Sequence, residues 1–309
     1  MRVTFWGVRG SHPVPGLHTA KIGGNTSCVE IQANGNTIII DSGTGIIPLG
    51  RDLARRQKES NKKGGAGQPI RAVLLISHTH HDHIEGFAFF EPAYIGTSRL
   101  HIYGPRAFST ELKEILHQNL LPPYCPVTLD DMYSAKSIQD LMESDEVVLR
   151  EGAAGPIVGH VYQAPVEKQR NDVVIRVHKC YAHPHEGVFC YSIEAGGKRM
   201  IYASDVEGYI GSDQRLVQFA RGADLLIHDA QYTEEVYLGG NSGARVRQGW
   251  GHSTVNMAAA TAKAAEVKQL ALFHHDPEDD DANVLKKEKI AKKIFPNSIS
   301  AYEGLTLQV

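Results

Sequence analysis

Apolar and polar positions alternate with a period of two at the start of the chain, over Val3-Thr4-Phe5-Trp6, Ser27-Cys28-Val29-Glu30-Ile31 and Thr37-Ile38-Ile39-Ile40. That period belongs to strands, and Asn34-Gly35-Asn36 between the last two runs is a tight-turn sequence, so a hairpin at the edge of a sheet is expected there. After Asp41 a Ser-Gly-Thr-Gly turn opens a helix-like stretch to about Ser60, followed by a polar surface loop over 61–67. Ala72-Val73-Leu74-Leu75-Ile76 is a continuous run rich in branched residues, the pattern of a strand buried on both faces. Further on the pattern predicts a strand over Leu100-His101-Ile102-Tyr103, a helix from about Ser109 to Leu120, and a Pro-interrupted crossing through Pro122, Pro123 and Pro126. From there to about Gln169 no period stands out. Strands return at 173–177, 189–193, 200–202 and 225–227, with helix-like segments near 214–220 and 254–267. The chain thus runs strand-rich and then mixed, twice over. Two such halves suggest an α/β protein built as a four-layer αββα sandwich, a single domain over 1–309, although a plain α/β layer has the same local patterns.

Composition narrows the function classes only modestly. At 309 residues, 42% hydrophobic and 22% charged, the chain is an ordinary globular one with ample length for a buried core. A net charge of −3 offers no general basic field, so long nucleic acids are disfavoured partners. Met1-Arg2-Val3-Thr4-Phe5-Trp6 lacks the apolar core of a secretory signal, and no run reaches the roughly 18 apolar residues of a membrane span. A cytoplasmic protein with no membrane partner is expected. Cys28, Cys125, Cys180 and Cys190 lie far apart without a CxxC pair, which fits reduced thiols better than a zinc knuckle or a disulfide framework.

Chemistry concentrates at the ends of the apolar runs. His78-Thr79-His80-His81-Asp82-His83 follows directly on the buried strand 72–76, at the carboxyl edge where ligand sites of layered α/β folds gather. Imidazoles and a carboxylate are the donors that a water-activating divalent metal takes. In extended chain, residues two apart point the same way, so His78 and His80 can grip one metal while His81 faces elsewhere. Asp82 and His83 can then reach a second metal as the chain turns. Desolvating four histidines beyond an apolar strand is costly unless something binds them. Three further clusters repeat the arrangement: His183-Pro184-His185-Glu186-Gly187 ahead of a strand, Asp205 closing Ile201-Tyr202-Ala203-Ser204, and His274-His275-Asp276 closing Leu270-Ala271-Leu272-Phe273. Either histidine of each pair could be the ligand, and a lone Asp at a strand end, a helix cap in most proteins, is favoured beside these clusters as a carboxylate that bridges two metals.

Taken in this order, the four clusters resemble the metallo-β-lactamase superfamily, whose hallmark HxHxDH run is matched by His78, His80, Asp82 and His83. The resemblance implies that His78, His80 and His183 hold one metal, that Asp82, His83 and His274 hold the other, and that Asp205 bridges them. It favours His183 over His185 and His274 over His275. Two divalent ions are implied, zinc by default, with manganese and iron compatible with the same donors. Trp6-Gly7-Val8-Arg9-Gly10-Ser11, Gly23-Gly24-Asn25-Thr26-Ser27-Cys28 and Gly249-Trp250-Gly251-His252-Ser253-Thr254 are similar to the branch holding ribonuclease Z and the bacterial cyclic phosphodiesterases. His183-Pro184-His185-Glu186-Gly187 departs from the Gly-His-Thr-x-Gly motif usual in thioester and lactone hydrolases of the superfamily.

A phosphodiesterase is therefore expected, acting on a small phosphodiester with a cyclic nucleotide favoured. A metal-bridging hydroxide would attack, Asp82 would orient it, and His252 would protonate the leaving oxygen. Arg9 and Asn25 are candidate phosphate contacts, and Asp41 and Asp229 candidate orienters of ligand histidines. No Gly- and Pro-rich basic arm of the ribonuclease Z type is present, which lowers the expectation of a large RNA substrate. Other outcomes of the same site are a ribonuclease, a thioesterase, a lactonase or a metal-bound nucleotide sensor without turnover. Relatives often pair, and the stretch around Leu120–Pro126 is a candidate homodimer contact or lid. The alternating run Lys286–Lys293 reads as a solvated helix face.

Overall fold

The computed structural model describes residues 1–62, 68–123, 125–209, 211–240 and 245–309. The predicted loop over 61–67 falls largely outside these residues, except that Asn61 and Lys62 complete the preceding helix. In chain order the elements are β1 (Arg2–Gly7), β2 (Cys28–Ala33), β3 (Asn36–Ile40), α1 (Ile46–Lys62), β4 (Arg71–Leu75), α2 (His81–Ile84), α3 (Glu91–Tyr94), β5 (Arg99–Gly104), α4 (Leu112–Asn119) and β6 (Ala135–Asp140). There follow β7 (Asp145–Leu149), β8 (Ile157–His160), β9 (Val173–Cys180), β10 (Val188–Ala195), β11 (Lys198–Ala203), α5 (Gln214–Ala220), β12 (Leu225–Asp229), α6 (Glu234–Tyr237), α7 (Val255–Ala264), β13 (Leu270–Phe273), α8 (Asp281–Ile294), β14 (Ser298–Ser300) and β15 (Thr306–Gln308).

Among the described residues, seven strands form one sheet in the order β15-β1-β2-β3-β4-β5-β6, and eight form the other as β14-β13-β12-β11-β10-β9-β7-β8. Each sheet is antiparallel on one side and parallel on the other, the parallel strands being β3 to β6 in the first and β11 to β14 in the second. The hairpin β2-β3 turns over Asn34-Gly35, with Ala33 opposite Asn36. It lies inside the sheet and not at its edge, because β1 pairs with β2 and the last strand of the chain then pairs with β1. The region 120–169 contributes β6, β7 and β8. Two of these lie at sheet edges and expose or half-expose most of their side chains, which is why they carry no clear apolar signal.

Alternation along the strands feeds three apolar layers. Val29, Ile31, Ile38, Ile40, Val73 and Leu75 meet Ile175, Val177, Tyr191, Ile193, Tyr202 and Phe273 between the sheets. On the outer face of the first sheet, Ile39, Leu74 and Ile76 pack against Leu49 and Leu53 of α1 and Leu112 and Leu116 of α4. Ile201, Leu226 and Leu272 do the same on the second sheet with Val217 of α5, Ala258 and Ala262 of α7 and Ala291 of α8. The architecture is the αββα sandwich. No helix among the described residues is long and apolar enough to cross a membrane.

Phe273 is fully buried, with ring centroids 6.0 Å from Phe5 and 5.6 Å from Tyr202, so it ties the two sheets directly behind the cluster at 274. Phe273→Ala is expected to lower unfolding free energy by about 3–5 kcal/mol, through lost transfer energy plus an unfilled cavity. Urea denaturation checks this; a loss under about 1 kcal/mol would mean that the sheets are not joined there. The run Lys286–Lys293 departs from a solvated face at one residue. Lys287 of α8 is buried, ion-paired to Asp279 and donating to the Gln231 carbonyl.

Candidate metal centre

The clusters meet at the carboxyl ends of the parallel strands. Asp41 follows β3, Asp205 follows β11 and His274 follows β13, and all three adopt left-handed backbone, with φ of 62°, 54° and 58°. Asp and His tolerate that region better than bulkier residues, but each still costs about 1–3 kcal/mol, and such strain is characteristic of functional sites. His78 and His80 lie just beyond β4, and Asp82 and His83 on the single turn α2.

Two donor groups form around one shared carboxylate. His78, His80, His183 and Asp205 offer one ligand atom each, all within 4.8 Å of one another, and so do Asp82, His83, Asp205 and His274. Asp205 Oδ1 lies 3.1 Å from His83 Nε2 and 3.2 Å from His274 Nε2, and Oδ2 lies 3.6 Å from His78 Nε2. Asp82 Oδ2 lies 3.1 Å from His274 Nε2 and accepts from the Ser11 amide at 2.7 Å. A third group, Asp205, Asp229, His252 and His274, meets the same distance limit. His81 and His185 are exposed and join none of the three. His275 points away: its Nε2 donates to the Ala301 carbonyl at 2.9 Å, and burial, with Lys287 adding to it, pushes its pKa down to about 3.

Four of the inward imidazoles are held from behind. Asp41 Oδ2 accepts from His83 Nδ1 at 2.8 Å, from Ser77 Oγ at 2.9 Å and from the Tyr202 hydroxyl at 2.6 Å. Gln231 Oε1 accepts from His274 Nδ1 at 2.9 Å, and the Gly251 carbonyl from His183 Nδ1 at 3.2 Å. Asp229 Oδ2 accepts from His252 Nδ1 at 2.8 Å, while its Oδ1 takes the Ser253 and Gln231 amides. These bonds fix the tautomer and turn the other ring nitrogen inward. Asp41→Asn is therefore expected to weaken metal binding about 10–100-fold, by exchanging an anionic acceptor for an amide behind His83. Metal competition with a chromophoric chelator measures it, and an unchanged affinity would reduce Asp41 to a loop fastener.

The donor set fits divalent cations. Asp82, Asp205, Asp41 and Asp229 are all buried, yet their ion-pair partners among the described residues are histidines alone, with no Lys or Arg. Buried carboxylates without a cation are costly. His83 Nε2 and His274 Nε2 face each other at 3.4 Å while both Nδ1 atoms are engaged, so neutral rings set two lone pairs against each other. His78 Nε2 is buried with no hydrogen-bond partner among the described residues. A cation relieves all three. Burial, reinforced by His83, holds the His78 imidazole well below its ordinary pKa. Burial also opposes the charged form of Asp82, but His83 and His274 outweigh it and keep the carboxyl well below the usual range. At His252 burial lowers the pKa, and the charge and hydrogen bond of Asp229 more than reverse this, raising it to about 9.

Two predicted contacts are corrected. Arg9 is fully buried, and its guanidinium donates to the carbonyls of Gly23 at 2.8 Å, Asp276 at 3.0 Å and Asp279 at 2.7 Å, so it braces loops and does not face a substrate. Asn25 is bound to Glu303 through its amide nitrogen at 2.9 Å and its backbone N–H at 2.6 Å, which likewise removes it from phosphate contact. Several residues were invisible to sequence reasoning. Gln231, Ser77 and Glu207 act through bonds to distant partners, Glu207 gathering the Gly249 and Gly251 amides at 2.8 and 2.9 Å and the Tyr237 hydroxyl at 2.5 Å. Two glycines make room for these histidines: a Cβ at Gly10 would lie 2.4 Å from His274 Nδ1, and one at Gly251, where φ is +89°, would lie 2.2 Å from His183 Nδ1. Glycines inside the similar segments 6–11 and 249–254 were the available signal.

Residues 36–275 match the model of the beta-lactamase superfamily domain. The chain belongs to this family. Members of this hydrolase superfamily typically bind divalent metals, in keeping with the His and Asp groups above. The superfamily protein is 28% identical to the ribonuclease Z of Pyrococcus abyssi over 302 residues, covering 90% of this chain and 87% of that one. Among solved structures it is similar to the metallo-beta-lactamase fold protein YhfI from Bacillus subtilis, with a TM-score of 0.62 at 19% identity over 99% and 98% of the two chains. It is similar also to a diphosphatase of the PhnP family, with a TM-score of 0.62 at 14% identity over 100% and 97%. The whole chain therefore has the metallo-β-lactamase fold.

Proposed function

We propose that this chain, acting as a single domain, is a binuclear metal-dependent phosphodiesterase that hydrolyses a small phosphodiester, a cyclic nucleotide being the favoured substrate class. One observation carries the reading: two donor groups share Asp205, and His252, fastened to Asp229, stacks on His274 with ring centroids 4.9 Å apart. Two divalent ions held by His78, His80 and His183 and by Asp82, His83 and His274, with Asp205 common to both, would polarise the entering and leaving oxygens of an in-line displacement and activate water at neutral pH. Zinc suits these donors, as do manganese and iron.

The chain's own residues supply the rest. Asp82 accepts from the Ser11 amide and lies beside His274, and its carboxylate would orient the attacking water. Asp229 occupies His252 Nδ1 and leaves Nε2 without a partner among the described residues, so a proton on Nε2 is available to the departing oxygen. The cleft that opens on His78, His80 and His183 is rimmed by Phe108, Lys179 and His185. Phe108 is 70% exposed, a free apolar face for a nucleobase, and Lys179 gives the cleft a cation for phosphate, the role that Arg9 and Asn25 do not fill.

A second reading, cleavage of an RNA phosphodiester by the same residues, is favoured by the relative named ribonuclease Z. Steady-state hydrolysis by metal-quantified protein separates the two. Chelator-sensitive cleavage of 2′,3′- or 3′,5′-cyclic nucleotides and of bis(p-nitrophenyl) phosphate is expected. Turnover confined to RNA would favour the second reading, turnover confined to thioester or lactone controls would overturn both, and nucleotide binding without turnover would make the protein a sensor.

A further inference from the structure

A cavity of about 370 Å³ lies between the sheets at the end opposite the histidines, lined by the starts of β4 and β5 and by the turn Leu149–Pro156. Counting from Arg71 to His78 along β4, the two sites are separated by roughly 20 Å. The volume falls in the range of small-molecule sites, about 300–1,000 Å³.

Arg71 and Arg99 are the first residues of neighbouring parallel strands and lie opposite each other in register. Both share strand parity with residues of the core between the sheets, Arg71 with Val73 and Arg99 with Tyr103, so both leave the same inner face. Like charges directly opposite on adjacent strands repel. Neither arginine makes an ion pair or a side-chain hydrogen bond among the described residues, and residues 63–67, 124, 210 and 241–244 contain no Asp or Glu. Glu151, the one carboxylate lining the cavity, is exposed and pairs with neither. By contrast Arg150, in the facing turn, is satisfied by Asp172 at 2.8 and 3.0 Å. Both arginines are exposed at the mouth of the cavity, and His101 in its wall is held below its ordinary pKa by burial and then by Arg71 and Arg99.

We propose that this cavity is a second ligand site, separate from the histidine cluster, which takes a small phosphomonoester, its dianion held by Arg71 and Arg99 and its organic part resting on Val73, Leu149 and Pro156. Guanidinium forks match phosphate oxygens in pairs, and a bound dianion removes the repulsion between the two strands.

Isothermal titration of the metal-loaded full chain with adenosine monophosphate and with inorganic phosphate tests the site. Arg71→Gln with Arg99→Gln is expected to weaken phosphomonoester binding at least about tenfold and to remove one binding equivalent, with bis(p-nitrophenyl) phosphate hydrolysis within about twofold of the wild type. Should the double variant fold poorly, Ala153→Trp fills the cavity without altering its charge and is expected to abolish the same equivalent. Wild-type stoichiometry and affinity in either folded variant would overturn the proposal. So would binding of an RNA oligonucleotide but not of the monophosphate, which would make the arginines part of a nucleic-acid surface.

Discussion

Asp205→Ala is expected to release the bound metal and to cut hydrolysis by at least about a thousandfold, equivalent to about 4 kcal/mol of transition-state stabilisation. Asp205 belongs to every donor group in the centre, and its two oxygens face different histidines, Oδ1 towards His83 and His274 and Oδ2 towards His78. Without it each remaining set has three donors, and the carboxylate charge in the two proposed ligand sets falls to that of Asp82. Metal analysis of the purified variant and its rate on bis(p-nitrophenyl) phosphate measure the two effects together. Thermal unfolding gives a third readout. A ligand present at about a thousand times its dissociation constant stabilises the folded state by about 4 kcal/mol, so chelator should lower the wild-type melting temperature and leave Asp205→Ala nearly unmoved. Full metal content with near-normal rates in this variant would sink the shared-carboxylate reading.

How far such a centre could be read from sequence depends on how local its causes are. His78, His80, Asp82 and His83 lie within six residues beyond an apolar strand, so chain direction alone brings them near one another. His183, Asp205 and His274 were legible as polar residues at strand ends, and the structure brings those three into the groups while leaving His185 exposed and His275 on a backbone carbonyl. The supporting bonds were not legible, because Gln231 and Gly251 lie 43 and 68 residues from the histidines they hold. Arg9 failed for the same reason. Its setting among glycines resembles a phosphate loop, but its fate is decided by the carbonyls of Asp276 and Asp279, 267 and 270 residues away. In the fold, strands buried on both faces announced themselves by apolar runs. The edge strands β6 and β8, and the three-residue β14 and β15, are too short or too half-exposed to do so.

His252→Ala is expected to keep the metal while slowing hydrolysis of a poor leaving group about 10²–10⁴-fold, which would separate metal binding from proton transfer. An alkoxide departing from a cyclic nucleotide needs a proton in the transition state, whereas p-nitrophenolate leaves readily without one. The variant should therefore lose far more on the nucleotide than on bis(p-nitrophenyl) phosphate, and the ratio of the two losses measures the proton donated at Nε2. The geometry also frames the opposite result, since His252 stands with Asp205, Asp229 and His274 in a third group of donors. If His252 were a ligand, its removal would deplete the metal and depress both substrates alike. Equal losses with reduced metal would move His252 from proton donor to ligand and leave the departing oxygen without an acid.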